Sequence, residues 1–130
     1  MQINTKSLLG HNKCFWGAVA WTVLVAVLCL LKSDTFQGAG FLDIPYKDKF
    51  VHFTFYFIFT LLWVNGLKKR FDSKNNVVLI VFCVAVLYGV VIEICQGLFT
   101  SSRSADLFDI IANTAGALTA VLLIHFFDRK

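Results

Sequence analysis

Apolar residues fall along this chain in four long runs separated by short polar stretches. The runs extend from Cys14 to Leu31, Phe50 to Leu67, Val77 to Phe99 and Leu107 to Phe127. At about 1.5 Å of rise per residue, each is about long enough to cross roughly 30 Å of hydrocarbon as an α-helix. The pattern predicts an all-α fold, an integral membrane bundle of four transmembrane helices at about 14–31, 50–67, 77–99 and 107–127. With no internal repeat or low-complexity tract, residues 1–130 read as a single membrane domain. The first run follows Lys6, His11 and Lys13, as a signal peptide would, but it exceeds a typical signal core and no small-x-small cleavage site follows. Leu28 precedes Cys29 where a lipoprotein signal carries a small residue, so the run is read as a true span.

Composition supports lipid as the solvent. Hydrophobic residues make up 58% of the chain and mean hydropathy is +0.72, against roughly 45–50% apolar residues in soluble domains. Charged residues are 15% of the chain and cluster between the runs. The net charge of +4 therefore reports on topology and not on nucleic acid, which is not expected as a partner. Lys6, Lys13, Lys68, Lys69, Arg70, Lys74, Arg129 and Lys130 all fall on one side of a four-span arrangement. Only Lys32, Lys47, Lys49 and Arg103 fall on the other. The positive-inside rule then places both termini in the cytoplasm.

Cys14, Cys29, Cys83 and Cys95 lie in or beside apolar runs without CxxC spacing and read as small packing residues, so no cofactor and no resident metal are expected. The segment Lys32–Lys49 contains Gly38, Gly40 and Pro45 and reads as an irregular outer loop. Its Phe36, Phe41, Leu42, Ile44 and Tyr46 suit the lipid interface.

The informative residues are polar ones inside or beside apolar helices, because each costs a few kcal/mol at the membrane centre and needs compensation. They gather towards the outer ends: Asp48, Lys49 and His52 on the second helix, Glu93 and Gln96 on the third, and Arg103, Asp106, Asp109 and Asn113 at the start of the fourth. Asp48 and His52 are four apart, Glu93 and Gln96 three apart, and Asp106, Asp109 and Asn113 follow three-and-four spacing, so each of these groups can occupy one helical stripe. Glu93 and Asn113 each lie six residues, or about 9 Å, inside a helix end. The middle and inner halves of these helices are nearly all apolar, which suits a shallow outward pocket better than a conducting path.

Several uses of this set remain open. Lys49 and Arg103 can engage a phosphate or carboxylate of an envelope lipid or peptide, oriented by the acids, with Gln96 and Asn113 adding hydrogen bonds. The same groups can instead form buried pairs that fix helix packing. In an enzymatic reading His52 serves as general base with Glu93 or Asp109, although no GxSxG or HExxH signature accompanies it. Ser101, Ser102 and Ser104 read as a turn. One histidine with several acids specifies no particular metal. Transport is poorly served by four helices without an inverted repeat. Gly116 with Ala112, Ala115 and Ala120 forms a small-residue stripe for close helix contact.

The segments DKFVHFTFYFIFTLL and EICQGLFTSSRSADLFDIIANTAGALTAVLL, together with the four-helix plan, resemble the VanZ-like family over about Asp48 to Leu123. The matching positions are Asp48, Lys49, His52, Glu93, Gln96, Arg103, Asp106, Asp109, Asn113 and Gly116. The family is named for a membrane protein associated with teicoplanin resistance. The resemblance implies a cell-envelope role in a bacterial cytoplasmic membrane. The partners expected on this reading are membrane lipids, among them an anionic envelope lipid or a cell-wall precursor.

Overall fold

The computed structural model describes residues 13–31, 46–101 and 104–128. They form four helices: α1 (Lys13–Leu30), α2 (Lys47–Leu67), α3 (Lys74–Phe99) and α4 (Leu107–Asp128). All four are long and apolar enough to cross a membrane. Of the outer loop expected over 32–49, residues 32–45 lie outside the described residues, as does the site residue Arg103, while residues 47–49 belong to the first turn of α2 instead.

The apolar runs place α1 and α4 to within a residue of their observed ends, whereas α2 and α3 each begin three residues earlier than expected. Both early turns are polar and invisible to a hydropathy criterion. The first turn of α2 carries Asp48, whose negative charge suits a helix N-terminus. Helix α3 is capped by Ser73, whose side chain accepts a hydrogen bond from the Asn76 amide at 3.4 Å.

The helices run alternately up and down, and side-chain contacts fix which ends share a side. At one end the Arg70 guanidinium sits 4.1 Å above the Phe15 ring, and Lys74 pairs with Asp128. At the other end Lys49 meets Asp106, and Gln96 reaches the Cys29 carbonyl. The start of α1, the α2–α3 connection and the end of α4 therefore lie together, opposite the polar residues of interest. Helices α2 and α3 each touch all three other helices, while α1 and α4 face each other across them without contact.

Two glycines permit the closest helix approaches. A Cβ on Gly116 would overlap the Phe53 carbonyl, so α4 rests directly on the α2 backbone. A Cβ on Gly66 would come within 2.9 Å of Phe15 Cα, where α1 crosses α2. Gly116, Ala117 and Ala120 are buried, so the small-residue stripe is used within the bundle.

The core contains Val25, Cys29, Tyr56, Phe59, Ala85, Ile92 and Ala117. A second cluster of Val64, Val77, Val78 and Val81 lies nearer the α2–α3 connection. Polar handles tie α1 to this core. Trp21 donates to the Phe55 carbonyl at 2.9 Å, Trp63 to the Thr22 hydroxyl at 3.0 Å, and the Tyr88 hydroxyl to the Thr22 carbonyl at 2.6 Å. The outer surface is the reverse of a soluble protein's. Leu79, Ile80, Val84, Leu87, Val91, Ile94 and Leu98 form an exposed stripe along α3, while Glu93 and Gln96 of the same helix are buried. An apolar exterior around polar interior groups matches a lipid surround.

Candidate functional site

The polar residues of α2, α3 and α4 converge at the end of the bundle where α2 and α4 begin. Helical spacing explains the convergence: Lys49 and His52 stand one turn apart on α2, as do Asp109 and Asn113 on α4, and the two stripes face each other across the Gly116 contact. Lys49 Nζ lies 2.7 Å from Asp106 Oδ2 and 3.0 Å from Asp109 Oδ1. One turn deeper, His52 Nδ1 is 3.0 Å from Asn113 Oδ1. The His52 ring also lies between two carboxylates, with Nδ1 3.7 Å from Glu93 Oε1 and Nε2 3.7 Å from Asp109 Oδ2.

Asp106 holds the entrance together. Its carboxylate accepts from the Phe108 amide at 2.8 Å and its carbonyl from the Asp109 amide at 3.1 Å, so it caps α4. Its own amide donates to Glu93 Oε2 at 3.2 Å, tying the start of α4 to α3. Hydrogen bonds from Lys49 and from the Phe108 amide hold its carboxyl below the usual carboxylate range.

Exposure falls steeply through the cluster. The side chains of Asp106, Lys49 and Asp109 are 37%, 29% and 13% exposed, whereas those of His52 and Glu93 are 3% and 1%. Asn113 and Gln96 are likewise buried. The cluster therefore has an open rim and a closed floor. With His52 neutral, the three carboxylates and Lys49 leave a formal charge of −2 among these groups. At the floor, Glu93 Oε1, Asn113 Nδ2 and the Tyr56 hydroxyl have no hydrogen-bond partner among the described residues. Buried polar atoms left in this way are costly and call for an occupant.

Of the residues expected from the sequence, Lys49, His52, Glu93, Asp106, Asp109 and Asn113 come together. Gln96 is buried beside them but spends its amide nitrogen on the Cys29 carbonyl, joining α3 to α1 at 2.8 Å. Asp48 is exposed in the first turn of α2 and joins none of these pairs among the described residues. Tyr56 was not anticipated. It stands four residues after His52 and continues the same stripe, which is the signal that would have found it.

Four membrane-spanning helices around an embedded cluster of charged groups define a multi-pass membrane protein with a polar site at one end. A family model described as VanZ/LLP1 matches residues 32–128. The chain belongs to that family, and every residue of the cluster lies within the match. It is also 35% identical over 116 residues to the uncharacterized protein C11E3.10 of Schizosaccharomyces pombe, an alignment covering 87% of this chain and 68% of the relative. No solved structure matches the chain.

Proposed function

We propose that the polar cluster recognises the headgroup of a membrane lipid or of a lipid-linked wall precursor, from the outer side of a bacterial cytoplasmic membrane. The observation that carries this reading is the burial gradient, an accessible charged rim above a buried polar floor contributed by three helices. A headgroup entering from the bilayer surface meets Lys49 first, already oriented by Asp106 and Asp109. Together with Arg103 it offers cationic donors for a phosphate. At the floor, the unpartnered Asn113 amide nitrogen supplies a directional donor.

Positive charge on the α2–α3 connection and both termini supports a cytoplasmic location for that end. A relative in fission yeast favours a lipid headgroup, which both cell types possess, over a component confined to bacterial walls. On this reading teicoplanin resistance is a consequence of headgroup recognition in particular members and not the shared activity.

The test is native mass spectrometry of the detergent-purified protein with its co-isolated lipids, comparing wild type with Arg103→Ala and Lys49→Ala. Retention of a specific phosphate-bearing lipid by wild type alone supports the reading, and equal retention or none by folded proteins contradicts it. A second reading, helix packing alone, is favoured by the mutual pairing of Lys49 with both aspartates. It predicts that the same variants lose folded protein instead.

A further inference from the structure

We propose that His52, Glu93 and Asp109 form a binding site for one divalent transition-metal ion of the Zn²⁺ or Mn²⁺ type. Each residue comes from a different helix, α2, α3 and α4 respectively. One ligand atom from each lies within 4.8 Å of the other two. A cation holding nitrogen and oxygen ligands at about 2.0–2.2 Å spaces them about 3–4.4 Å apart. At tetrahedral angles the spacing is about 3.3–3.6 Å, so the most widely separated pair needs to close in by up to about 1.5 Å.

The hydrogen bonds leave these atoms available. Asp109 turns Oδ1 to Lys49 and Oδ2 towards His52. Glu93 spends Oε2 on the Asp106 amide, while Oε1, on a side chain 1% exposed, has no hydrogen-bond partner among the described residues. It lies 3.7 Å from His52 Nδ1, so joining an ion on Nε2 requires the Glu93 side chain to turn towards the Asp109 edge of the ring. If His52 Nδ1–H donates to Asn113 Oδ1, the ring's lone pair is on Nε2, facing Asp109. That is the arrangement in which a neighbouring acceptor fixes the tautomer of a metal-binding histidine.

Charge and ligand type point the same way. The formal −2 of the cluster is what one divalent cation neutralises, and a buried carboxylate facing a histidine without such an ion carries a large desolvation cost. One imidazole with two carboxylates suits a borderline or moderately hard ion, and lacks the thiolates that select soft metals. The open rim at Lys49 and Asp106 provides an entry path, and the ion keeps coordination positions for water or for an anionic oxygen. The inference stands apart from headgroup recognition, because metal binding is measured without lipid.

In the test, the full-length protein in detergent is stripped with chelator, titrated separately with Zn²⁺ and Mn²⁺, and its metal content determined after gel filtration. The proposal expects about one equivalent in wild type and in the Asp72→Asn control, and binding about tenfold or more weaker in Glu93→Gln. Because Glu93→Gln can fail to fold, a second measurement uses protein with all three carboxylates intact. The chain has three histidines, so His11→Gln/His125→Gln leaves His52 alone. Pulsed electron paramagnetic resonance of this Mn²⁺-loaded variant should detect one directly bound imidazole nitrogen. Absence of stoichiometric metal in wild type, undiminished binding by folded Glu93→Gln, or bound Mn²⁺ without nitrogen coupling overturns the site.

Discussion

At the residue scale, Gly116 and Asp106 each carry a consequence out of proportion to their size. A methyl group at Gly116 collides with a backbone carbonyl of α2, which cannot rotate away as a side chain can. Gly116→Ala should destabilise the bundle by about 1–3 kcal/mol or more, the cost of overpacking a close contact. At Gly17 the same methyl would meet only Leu62 Cδ2 at 3.8 Å, so Gly17→Ala should leave the melting temperature nearly unchanged. Thermal unfolding of the two variants in detergent checks the pair.

Asp106 carries a pH dependence. Its carboxyl is held below the ordinary range by Lys49 and the Phe108 amide, so the folded state prefers its charged form. The resulting stability is present above the ordinary aspartate value, near pH 4, and is lost as pH falls through the lower folded value. Melting curves across that acid range should fall less steeply for Asp106→Asn than for wild type, and parallel curves would remove the attribution. The candidate site was largely legible at this scale, because charged residues within apolar helices are rare and their spacings named the shared stripes. Tyr56 escaped because an aromatic residue in an apolar run gives no such contrast. Its hydroxyl, without a hydrogen-bond partner among the described residues, became visible only in three dimensions.

At the scale of elements, α1 is held differently from the rest. It brings no charged group to the cluster, and its ties include the hydrogen bonds of Trp21, Trp63 and Tyr88 about Thr22 and Phe55, the Gln96 bond to the Cys29 carbonyl, the Arg70–Phe15 contact and the close crossing at Gly66. Tyr88→Phe removes the 2.6 Å bond to the Thr22 carbonyl while keeping the ring stacked near Phe59. Since that carbonyl belongs to a helix, the expected loss is modest, about 0.5–1.5 kcal/mol. A loss well above this in thermal unfolding would show that the bond organises α1 as a whole. Hydropathy found all four helices, but it placed the starts of α2 and α3 late because their first turns are charged or capped. In a hydropathy profile Trp21 and Trp63 count only as apolar bulk. Their ring N–H groups find partners across helices, a pairing that no periodicity encodes.

At the scale of the whole molecule, alternating helices put Lys69 and Ser101 at opposite ends of the bundle. The orientation proposed from positive charge puts the Lys69 end in the cytoplasm. In a background without native cysteines, Ser101→Cys should react in intact cells with a membrane-impermeant thiol reagent, and Lys69→Cys only after lysis. The reverse pattern would invert the orientation and turn the polar cluster inward.

The central claim is that this cluster receives a ligand and does more than pack helices. Asp109 tests it most directly, because its carboxylate touches both Lys49 and the His52 region. The decisive measurement is lipid retention by native mass spectrometry together with melting temperature, for wild type and Asp109→Asn in the same detergent. If the cluster receives a ligand, the variant melts within a few degrees of wild type and loses the specific lipid. A variant that retains the lipid, or that loses it only because it no longer folds, would contradict a ligand site and leave helix packing as the role of these residues.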